Sequence, residues 1–425
     1  MSGPRRLEPA AEGAEDLLED PLDDLLEDLA DGADARLAGV DAALAADEAA
    51  RARAAARGPE PVHVCYVPAD RVSATTALEW GEAAVAALDV HGADADELAA
   101  VLGVDRALVD AVLPRVRAAL ARRPVADLRA DLEDGYGRRD DAVEDTDAAA
   151  AGTAVADLLA ADRAPARAGA RVKSMEAATR RRGLRSWALF LAGYLDAGGD
   201  PARLRVTLPK VSAPEQVEAF AAACAALEEH HGIGPVALEL QVETARAVVS
   251  VSGTATVAAM VAAAGERAAG LHYGTYDYSA ALGVAPDQQR ADHPAAEHAK
   301  AVMAVVGAGA GVPVSDGSSA VLPVGDHAAV LEAWRVQARI VRRALELGVP
   351  QGWDMHPAQI PARLVVVHAF YRAGAPAALR RLQDYAAGAG AGVLDEPATE
   401  RALTGFLRRG VACGALDARE AGTFA

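Results

Sequence analysis

Cysteine pairs are missing from this chain of 425 residues. Its three cysteines, Cys65, Cys224 and Cys413, are odd in number and far apart in the sequence. That spacing excludes the close pairs of a zinc site and the framework of a disulfide-rich secreted domain. The N-terminal segment also lacks the apolar core of a signal peptide. A cytoplasmic protein is therefore expected.

The sequence also lacks long apolar runs and an excess of basic charge. Its alanine-rich stretches are broken by charged residues or glycine before they reach about 18 residues, so no segment is predicted to span a membrane. The chain has 42 Lys and Arg against 61 Asp and Glu, which gives a formal net charge of −19. That charge disfavours nucleic acids and anionic membranes as partners. Small-molecule chemistry is the favoured class of function.

Two common catalytic motifs are absent as well. No glycine-rich fingerprint lies between a predicted strand and a predicted helix, and the glycine-rich run at 307–311 has no phosphate-binding lysine. The Gly-x-Ser-x-Gly motif of α/β-hydrolases does not occur either. A dinucleotide site and a serine-hydrolase site are therefore not predicted.

Short apolar runs alternate with amphipathic stretches after Pro61, as expected for successive strand and helix units. A turn and then helical sequence follow each run, so the count and order favour a TIM (β/α)8 barrel over an open doubly wound sheet. The eight predicted strands are Val62–Val67, Ala126–Leu132, Ala170–Met175, Leu204–Leu208, Val236–Val242, Gly270–Tyr273, Val312–Ser315 and Gln351–Met355.

The α/β chain is predicted to have three parts. They are an acidic helical N-terminal extension at 1–58, a (β/α)8 barrel catalytic domain at 59–373, and a C-terminal helical lid or tail at 374–425.

Helices beyond the barrel repeat are predicted in two places. Residues 93–121 form an insertion after the first strand, and the C-terminal part has helical patterns at Ile360–Ala373, Leu379–Ala387 and Ala398–Arg409. The glycine-rich segment 388–392 is what a mobile lid requires, and it is equally what an ordinary loop looks like.

Acidic residues at the ends of two neighbouring strands are the most informative feature. Glu243 follows the fifth predicted strand and Asp277 the sixth. The carboxyl ends of parallel strands meet at the mouth of a barrel, so these oxygen ligands are candidates to hold Mg²⁺ or Mn²⁺. For either residue alone, a position at a helix N-terminus is the alternative.

Three acidic residues, Asp131, Glu133 and Asp134, end the second predicted strand. Three like charges are costly unless a cation faces them, so this group is expected to hold a metal-bound water or to position Arg171 and Lys210. An acidic loop without such a role is the alternative.

Arg171 and His356 are the other two residues that the pattern singles out. Arg171 lies in a run predicted to be buried on both sides, and its partner there is either a substrate carboxylate or a structural ion pair. His356 precedes Pro357, which fixes the turn into the next helix. A structural hydrogen bond is favoured for His356 over a catalytic role.

The order of these motifs resembles the citrate lyase beta-subunit and malyl-CoA lyase branch of the HpcH/HpaI aldolase family. The resemblance runs from about Val62 to Phe406. Its motifs are Tyr66–Arg71, Asp131–Asp134, Arg171–Lys173, Leu208–Val211, Glu243–Thr244, Gly274–Asp277 and Met355–Ile360.

The resemblance implies a Mg²⁺-dependent carbon–carbon lyase of aldol or Claisen type, acting on a keto acid, a 2-hydroxy acid or a hydroxyacyl-CoA. It implies that Glu243 and Asp277 hold the metal and that Arg171 stabilises an enolate. It also implies that Asp395, on the lid of a neighbouring subunit, acts as acid or base. The protein is then a homo-oligomer, such as a dimer, trimer or hexamer. On this basis the predicted catalytic residues are Arg171, Asp395, Glu133 and Asp134, and the predicted substrate-binding residues are Arg171, Arg71, Lys210 and His356.

Departures from the family pattern bear on the substrate, and the one at Ala69 weakens the case for CoA binding. Ala69 replaces the usual glycine, Lys173 replaces asparagine, and Trp353 stands where a Gly-Lys pair is usual. The keto-acid half is therefore the better-supported one. The alternatives are a CoA-independent keto-acid aldolase, a malate-synthase-like thioesterase or synthase, and a non-catalytic binding subunit.

Overall fold

The computed structural model describes residues 21–56, 58, 60–387 and 397–424. Eight parallel strands form a (β/α)8 barrel, as the sequence predicts. The strands are β1 His63–Pro68, β2 Asp127–Asp131, β3 Arg167–Arg171, β4 Leu204–Leu208, β5 Ala237–Val242, β6 Ala268–Tyr273, β7 Val314–Ser315 and β8 Gly352–Asp354.

Helices alternate with the strands along the chain and also precede and follow the barrel in the sequence. They are α1 Pro21–Ala56, α2 Thr76–His91, α3 Ala95–Leu102, α4 Arg106–Arg122, α5 Asp141–Ala160, α6 Arg180–Asp196, α7 Pro214–His231, α8 Ala245–Val248, α9 Thr256–Ala264, α10 Thr275–Ala281, α11 Pro294–Ala310, α12 His327–Glu346, α13 Ile360–Ala386, α14 Pro397–Ala412 and α15 Ala418–Ala421. The helices α3 and α4 occupy the predicted insertion.

Several predicted boundaries differ from the structure, and two of these differences have a clear physical reason. The third strand ends at Arg171 and not at Met175. The predicted strand is too long because Val172 and Met175 are buried apolar residues that lie beyond the end of the strand. The two helices predicted after His356 are one continuous helix, α13, which passes through Pro376. Ala375 and Ala378 of α13 are buried in its packing, which outweighs the poor helix propensity of proline.

The boundary between the two compact units of the chain lies after Ala56. The described part of the first unit is the single helix α1, and residues 1–20 of the predicted N-terminal extension lie outside the described residues. Leu29, Val40 and Leu44 of α1 are 60%, 52% and 55% exposed. The division of residues 59–373 from 374–425 stays a prediction, and α13 continues across it.

No helix in the described ranges is long and apolar enough to cross a membrane. All three cysteines are free thiols, with Cys65 and Cys224 buried.

A buried ion-pair network fills the interior of the barrel. Arg129 of β2 is fully buried and donates to both carboxylate oxygens of Glu239 on β5, at 3.0 and 2.5 Å. The same guanidinium pairs with Asp127. Burial alone would raise the pKa of Glu239, but the positive charge of Arg129 and the hydrogen bond from His272 outweigh it and hold that pKa well below its usual range. Both of these buried carboxylates are therefore paired with the Arg129 guanidinium.

The ring of strands closes at a narrow seam between β7 and β8. The strand β7 has two residues, and one bridge between Ser315 and Gln351 joins it to the β8 side. The Asp316 N–H adds a hydrogen bond to the Gln351 carbonyl at 2.8 Å. The buried Lys300 of α11 donates to the Asp316 carboxylate, also at 2.8 Å. The Lys300–Asp316 ion pair thus connects helix α11 to the residue that follows β7.

Helices α5 and α6 approach each other closely because each has a glycine at the crossing. A Cβ atom on Gly152 of α5 would lie 2.1 Å from the carbonyl oxygen of Phe190, and one on Gly193 of α6 would lie 2.2 Å from that of Ala149. The two glycines therefore allow the helix backbones to approach each other more closely than two alanines would.

We expect Gly152→Ala to destabilise the protein by about 1–3 kcal/mol, because the added methyl group must push the two helices apart. The matched control is Gly309→Ala in α11, where nothing lies within 4 Å of the new Cβ atom. That change is expected to stabilise the helix by roughly 0.5–1 kcal/mol. The free energy of unfolding in urea measures both effects, and equal values for the two variants would contradict the close-packing argument.

Candidate active site at the carboxyl ends of the strands

A cavity of about 440 Å³ lies at the carboxyl ends of the barrel strands. In a (β/α)8 barrel this is the face where active sites are built. The cavity is lined by Tyr66, Pro68, Asp131, Asp134, Gly135, Arg171, Gln241, Glu243, Gly274, Thr275, Tyr276, Asp277, Ser318, Ala320, Trp353 and Met355. Charged residues at the carboxyl ends of β2, β3 and β5 and in α10 therefore line the same cavity.

Arg171, the last residue of β3, forms a bidentate ion pair with Asp131, the last residue of β2. The Arg171 Nε donates to one carboxylate oxygen at 2.7 Å and Nη2 to the other at 2.6 Å. Both side chains are buried. Burial alone would lower the pKa of Arg171, but the Asp131 carboxylate outweighs it and raises that pKa further. The guanidinium is thus a permanently charged and oriented group.

Two aromatic rings form a platform beside the Arg171 guanidinium. Tyr66 and Trp353 stack with their ring centroids 4.4 Å apart. The guanidinium carbon of Arg171 lies 5.0 Å from the Tyr66 centroid and 5.7 Å from that of Trp353. The indole N–H of Trp353 donates to His272 Nδ1 at 3.0 Å, which ties the platform to the buried network around Glu239. Cation–π contact and this hydrogen bond together fix the position of the guanidinium.

Glu243 directly follows β5 and is buried in the cavity wall. Its Oε1 accepts a hydrogen bond from the backbone N–H of Lys210 at 2.7 Å, and its Oε2 accepts one from Gln241 Nε2 at 2.5 Å. Burial raises the pKa of Glu243 to about 8 despite the opposing charge of Lys210. A cation close to this carboxyl group would favour the ionised form.

The Lys210 ammonium lies among three carboxylates. It pairs with Glu133, with Asp134 at 2.9 Å and with Asp277 at 3.1 Å. Burial alone would lower the pKa of Lys210, but Glu133 and Glu243 outweigh it and raise that pKa. The ammonium therefore stays charged and joins the end of β2 to the start of α10.

Glu133 lies between the two cations of the site. One of its oxygens contacts the Lys210 ammonium, and the other is 3.4 Å from Arg171 Nη1. Burial raises the pKa of Glu133, although Arg171 and Lys210 oppose the shift. Asp134 is more exposed, and its hydrogen bond from Lys210 outweighs partial burial and lowers its pKa. The neighbouring carboxyl groups thus differ in how readily they bind a proton.

The donor set suits a hard divalent cation. Five carboxylates, those of Asp131, Glu133, Asp134, Glu243 and Asp277, share two cationic partners, Arg171 and Lys210. Mg²⁺ is commonly held by one or two protein carboxylates together with water and substrate oxygens, so Glu243 and Asp277 are sufficient in number and type. Within the described ranges, no three His, Cys, Asp or Glu side chains are grouped closely enough to hold a metal ion.

Four predicted site residues of the described ranges are not part of this cavity wall: Arg71, His356, and the pair formed by Glu133 and Lys210. Arg71 is exposed at the end of a short 3-10 helix, Ala69–Arg71, that follows β1. The His356 ring accepts a hydrogen bond from the Ala358 N–H at 3.2 Å and caps the next turn, which is the structural role favoured from the sequence. Asp395 lies outside the described residues.

Sequence reasoning missed three residues of the cavity: Tyr66, Gln241 and Trp353. Gln241 links Arg171, whose Nη1 is 3.3 Å from its Oε1, to Glu243. Side chains alternate along a strand, so residues two positions apart point to the same side. Gln241 is two residues before Glu243, and applying this alternation to β5 would have found it.

Solved structures of three proteins are similar to this chain. A citrate lyase from Burkholderia xenovorans LB400 is 24% identical with a TM-score of 0.52, over 73% of this chain and 91% of that one. A malate synthase from Haloferax volcanii in a lead(II) complex is 16% identical with a TM-score of 0.46, over 59% and 67%. An HpcH/HpaI aldolase/citrate lyase family protein from Burkholderia cenocepacia J2315 is 19% identical with a TM-score of 0.36, over 64% and 90%.

The similarity to the Burkholderia xenovorans protein is one of fold. No curated protein matches the sequence. The family described as "Domain of unknown function (DUF6986)" matches residues 40–424, and this chain therefore belongs to that family.

Proposed function

We propose that this protein is a metal-dependent carbon–carbon lyase of aldol or Claisen type that acts on a small keto acid or 2-hydroxy acid. One observation carries the proposal: the Arg171 guanidinium and the Glu243 and Asp277 carboxylates line the same cavity. This combines a fixed positive charge with hard oxygen ligands. Such a combination suits a substrate that has a carboxylate and a carbonyl group on adjacent carbons.

Glu243 and Asp277 would hold Mg²⁺, or Mn²⁺ in its place. When bound, the cation supplies Lewis-acid stabilisation of negative charge at a carbonyl oxygen. Asp131 uses two of the five N–H donors of Arg171, so the guanidinium keeps donors for a substrate carboxylate or for an oxygen that gains charge as the bond breaks.

The proton transfers of this reaction are assigned to carboxyl groups. Glu133 is buried beside Arg171 and Lys210, and burial raises its pKa. Groups with perturbed pKa values are common at functional sites. Asp134 and Asp395 complete the proposed catalytic set, and Arg71, Lys210 and His356 are proposed to bind the rest of the substrate. The proposed action of Asp395 on the site of a neighbouring subunit requires a homo-oligomer, and light scattering of the purified protein measures its size.

The test is isothermal titration of the protein with pyruvate, glyoxylate, oxaloacetate and acetyl-CoA, each with and without Mg²⁺. We expect a keto acid to bind only when Mg²⁺ is present. We expect Asp277→Ala and Glu243→Ala each to weaken that binding by at least about 100-fold, because each removes a metal ligand. The control is Asp287→Ala, since Asp287 is exposed and is not part of the cavity wall.

The outcomes separate the alternatives. Keto-acid binding without acetyl-CoA binding identifies a CoA-independent aldolase, and binding of both identifies a lyase or synthase that uses a thioester. Unchanged keto-acid binding in Asp277→Ala and Glu243→Ala would refute the assigned metal ligands. Absence of binding by all four compounds would favour a non-catalytic subunit.

A further inference from the structure

Lys210 contacts both of the proposed metal ligands. Its backbone N–H donates to Glu243 Oε1 at 2.7 Å, and its ammonium lies 3.1 Å from Asp277 Oδ2. Glu243 follows β5 and Asp277 belongs to α10 after β6, so one residue of the β4 loop touches the ends of two other barrel units.

The backbone of Lys210 is held in an unfavourable conformation. Its φ angle is +53°, and among the described residues only Arg163 and Lys210 have a positive φ without being glycine. A strained residue persists when its surroundings hold it in place, and such residues cluster at functional sites. Here the Glu243 carboxylate holds the N–H while Glu133, Asp134 and Asp277 hold the ammonium.

The charge around Lys210 is only partly compensated. Asp131 occupies two donors of Arg171, so the Lys210 ammonium is the main counter-ion for Glu133, Asp134 and Asp277. Arg171 and Lys210 together face Asp131, Glu133, Asp134 and Asp277. Two positive charges among four carboxylates leave a negative site, and a divalent cation would be attracted to it. The cation would bind beside a charge of the same sign unless the ammonium moves away.

We propose that the Lys210 ammonium is an internal counter-ion that occupies the metal ligands in the metal-free protein and leaves Asp277 when the divalent cation binds. This inference rests on the proposed function, because it assumes that Asp277 and Glu243 hold the metal. Lys210 then lowers the affinity of the empty site for the cation. A substrate carboxylate that takes up the released ammonium raises that affinity, so metal and substrate favour each other's binding.

The experiment is isothermal titration of the whole protein with Mg²⁺ alone, without any substrate. The variant is Lys210→Gly, because glycine adopts a positive φ angle without strain and keeps the backbone N–H that binds Glu243. We expect Lys210→Gly to bind Mg²⁺ at least tenfold more tightly than the unmodified protein. The matched control is Lys210→Arg, which keeps the positive charge and is expected to stay within about threefold of the unmodified protein.

Two further measurements support the assignment. Adding Glu243→Gln to Lys210→Gly is expected to abolish the gain in affinity, because the cation then loses a proposed ligand. Thermal unfolding of Lys210→Gly is expected to show a larger stabilisation by Mg²⁺ than the unmodified protein shows. A Lys210→Gly variant that folds only when Mg²⁺ is present supports the proposal, since the cation then replaces the missing ammonium.

Equal or weaker Mg²⁺ binding by Lys210→Gly, with binding retained in the unmodified protein, would overturn the inference and leave the proposed metal site intact. A gain in affinity that survives Glu243→Gln would overturn it too, because the cation would then bind elsewhere. Absence of Mg²⁺ binding in both the unmodified protein and Lys210→Gly would overturn the proposed function together with the inference.

Discussion

Replacing Arg129 with methionine is expected to destabilise the protein by about 3–5 kcal/mol, because it leaves buried carboxylates without their counter-ion. Arg129 is 0% exposed and is paired with Glu239 and Asp127 in the interior of the barrel. Asp127 keeps a second partner in Arg167, at 2.9 Å, whereas Glu239 loses its main cation. The free energy of unfolding in urea measures the effect.

The matched control is Arg117→Met in α4. Arg117 pairs with Asp89, but the two side chains are 45% and 53% exposed, so the loss is expected to be below about 1 kcal/mol. The destabilisation of Arg129→Met is also expected to shrink as the pH falls, since a protonated Glu239 needs no counter-ion. The double variant Arg129→Met with Glu239→Gln should recover part of the lost stability for the same reason. A cost for Arg129→Met no larger than that of the control would contradict the network's role.

Replacing Arg171 with glutamine is expected to reduce Mg²⁺-dependent turnover of the keto-acid substrate by about 100- to 1,000-fold, the usual cost of removing a donor to a developing oxyanion. Arg171→Lys is expected to be nearly as impaired. An ammonium cannot reproduce the bidentate pair with Asp131 or the planar contact with Tyr66 and Trp353. Steady-state kinetics under saturating Mg²⁺ measures the loss.

A stability defect must be separated from a catalytic one in this experiment. Arg171→Gln leaves the Asp131 carboxylate unpaired, and the double variant with Asp131→Asn removes that uncompensated charge. We expect the double variant to regain stability and to stay inactive. Arg139→Gln is the control, since Arg139 is 43% exposed and lies outside the cavity wall. Activity in the stable double variant would show that Arg171 serves only as a structural ion pair.

The barrel was predictable because parallel strands are buried on both faces and leave short apolar runs at regular intervals. Strand ends were less predictable where burial continues past the last backbone pairing, as at Val172 and Met175. The single helix α13 was missed because Pro376 and the nearby Gly374 are locally unfavourable in a helix. Contacts with α14, which are distant in sequence, outweigh those local preferences.

The convergence of charged residues on one cavity was also predictable, since strand ends meet on one face of a barrel. Which of these charged residues pair with each other was not predictable. The sequence places Arg171 near several acids, and only the structure selects Asp131 for the bidentate pair. The positive φ angle of Lys210 left no trace in the sequence, because lysine has no preference for that conformation.

The barrel wall has little backbone pairing at the short strand β7. Backbone pairing there is limited to two residue pairs with β6 and one bridge to the β8 side, so side chains hold this part of the wall together. Local opening requires less free energy where few backbone hydrogen bonds must break. Ser318, three residues after β7, lines the cavity. The part of the wall with the least backbone pairing therefore lies beside the cavity in which the substrate is proposed to react, and the Lys300–Asp316 ion pair stabilises that part of the wall.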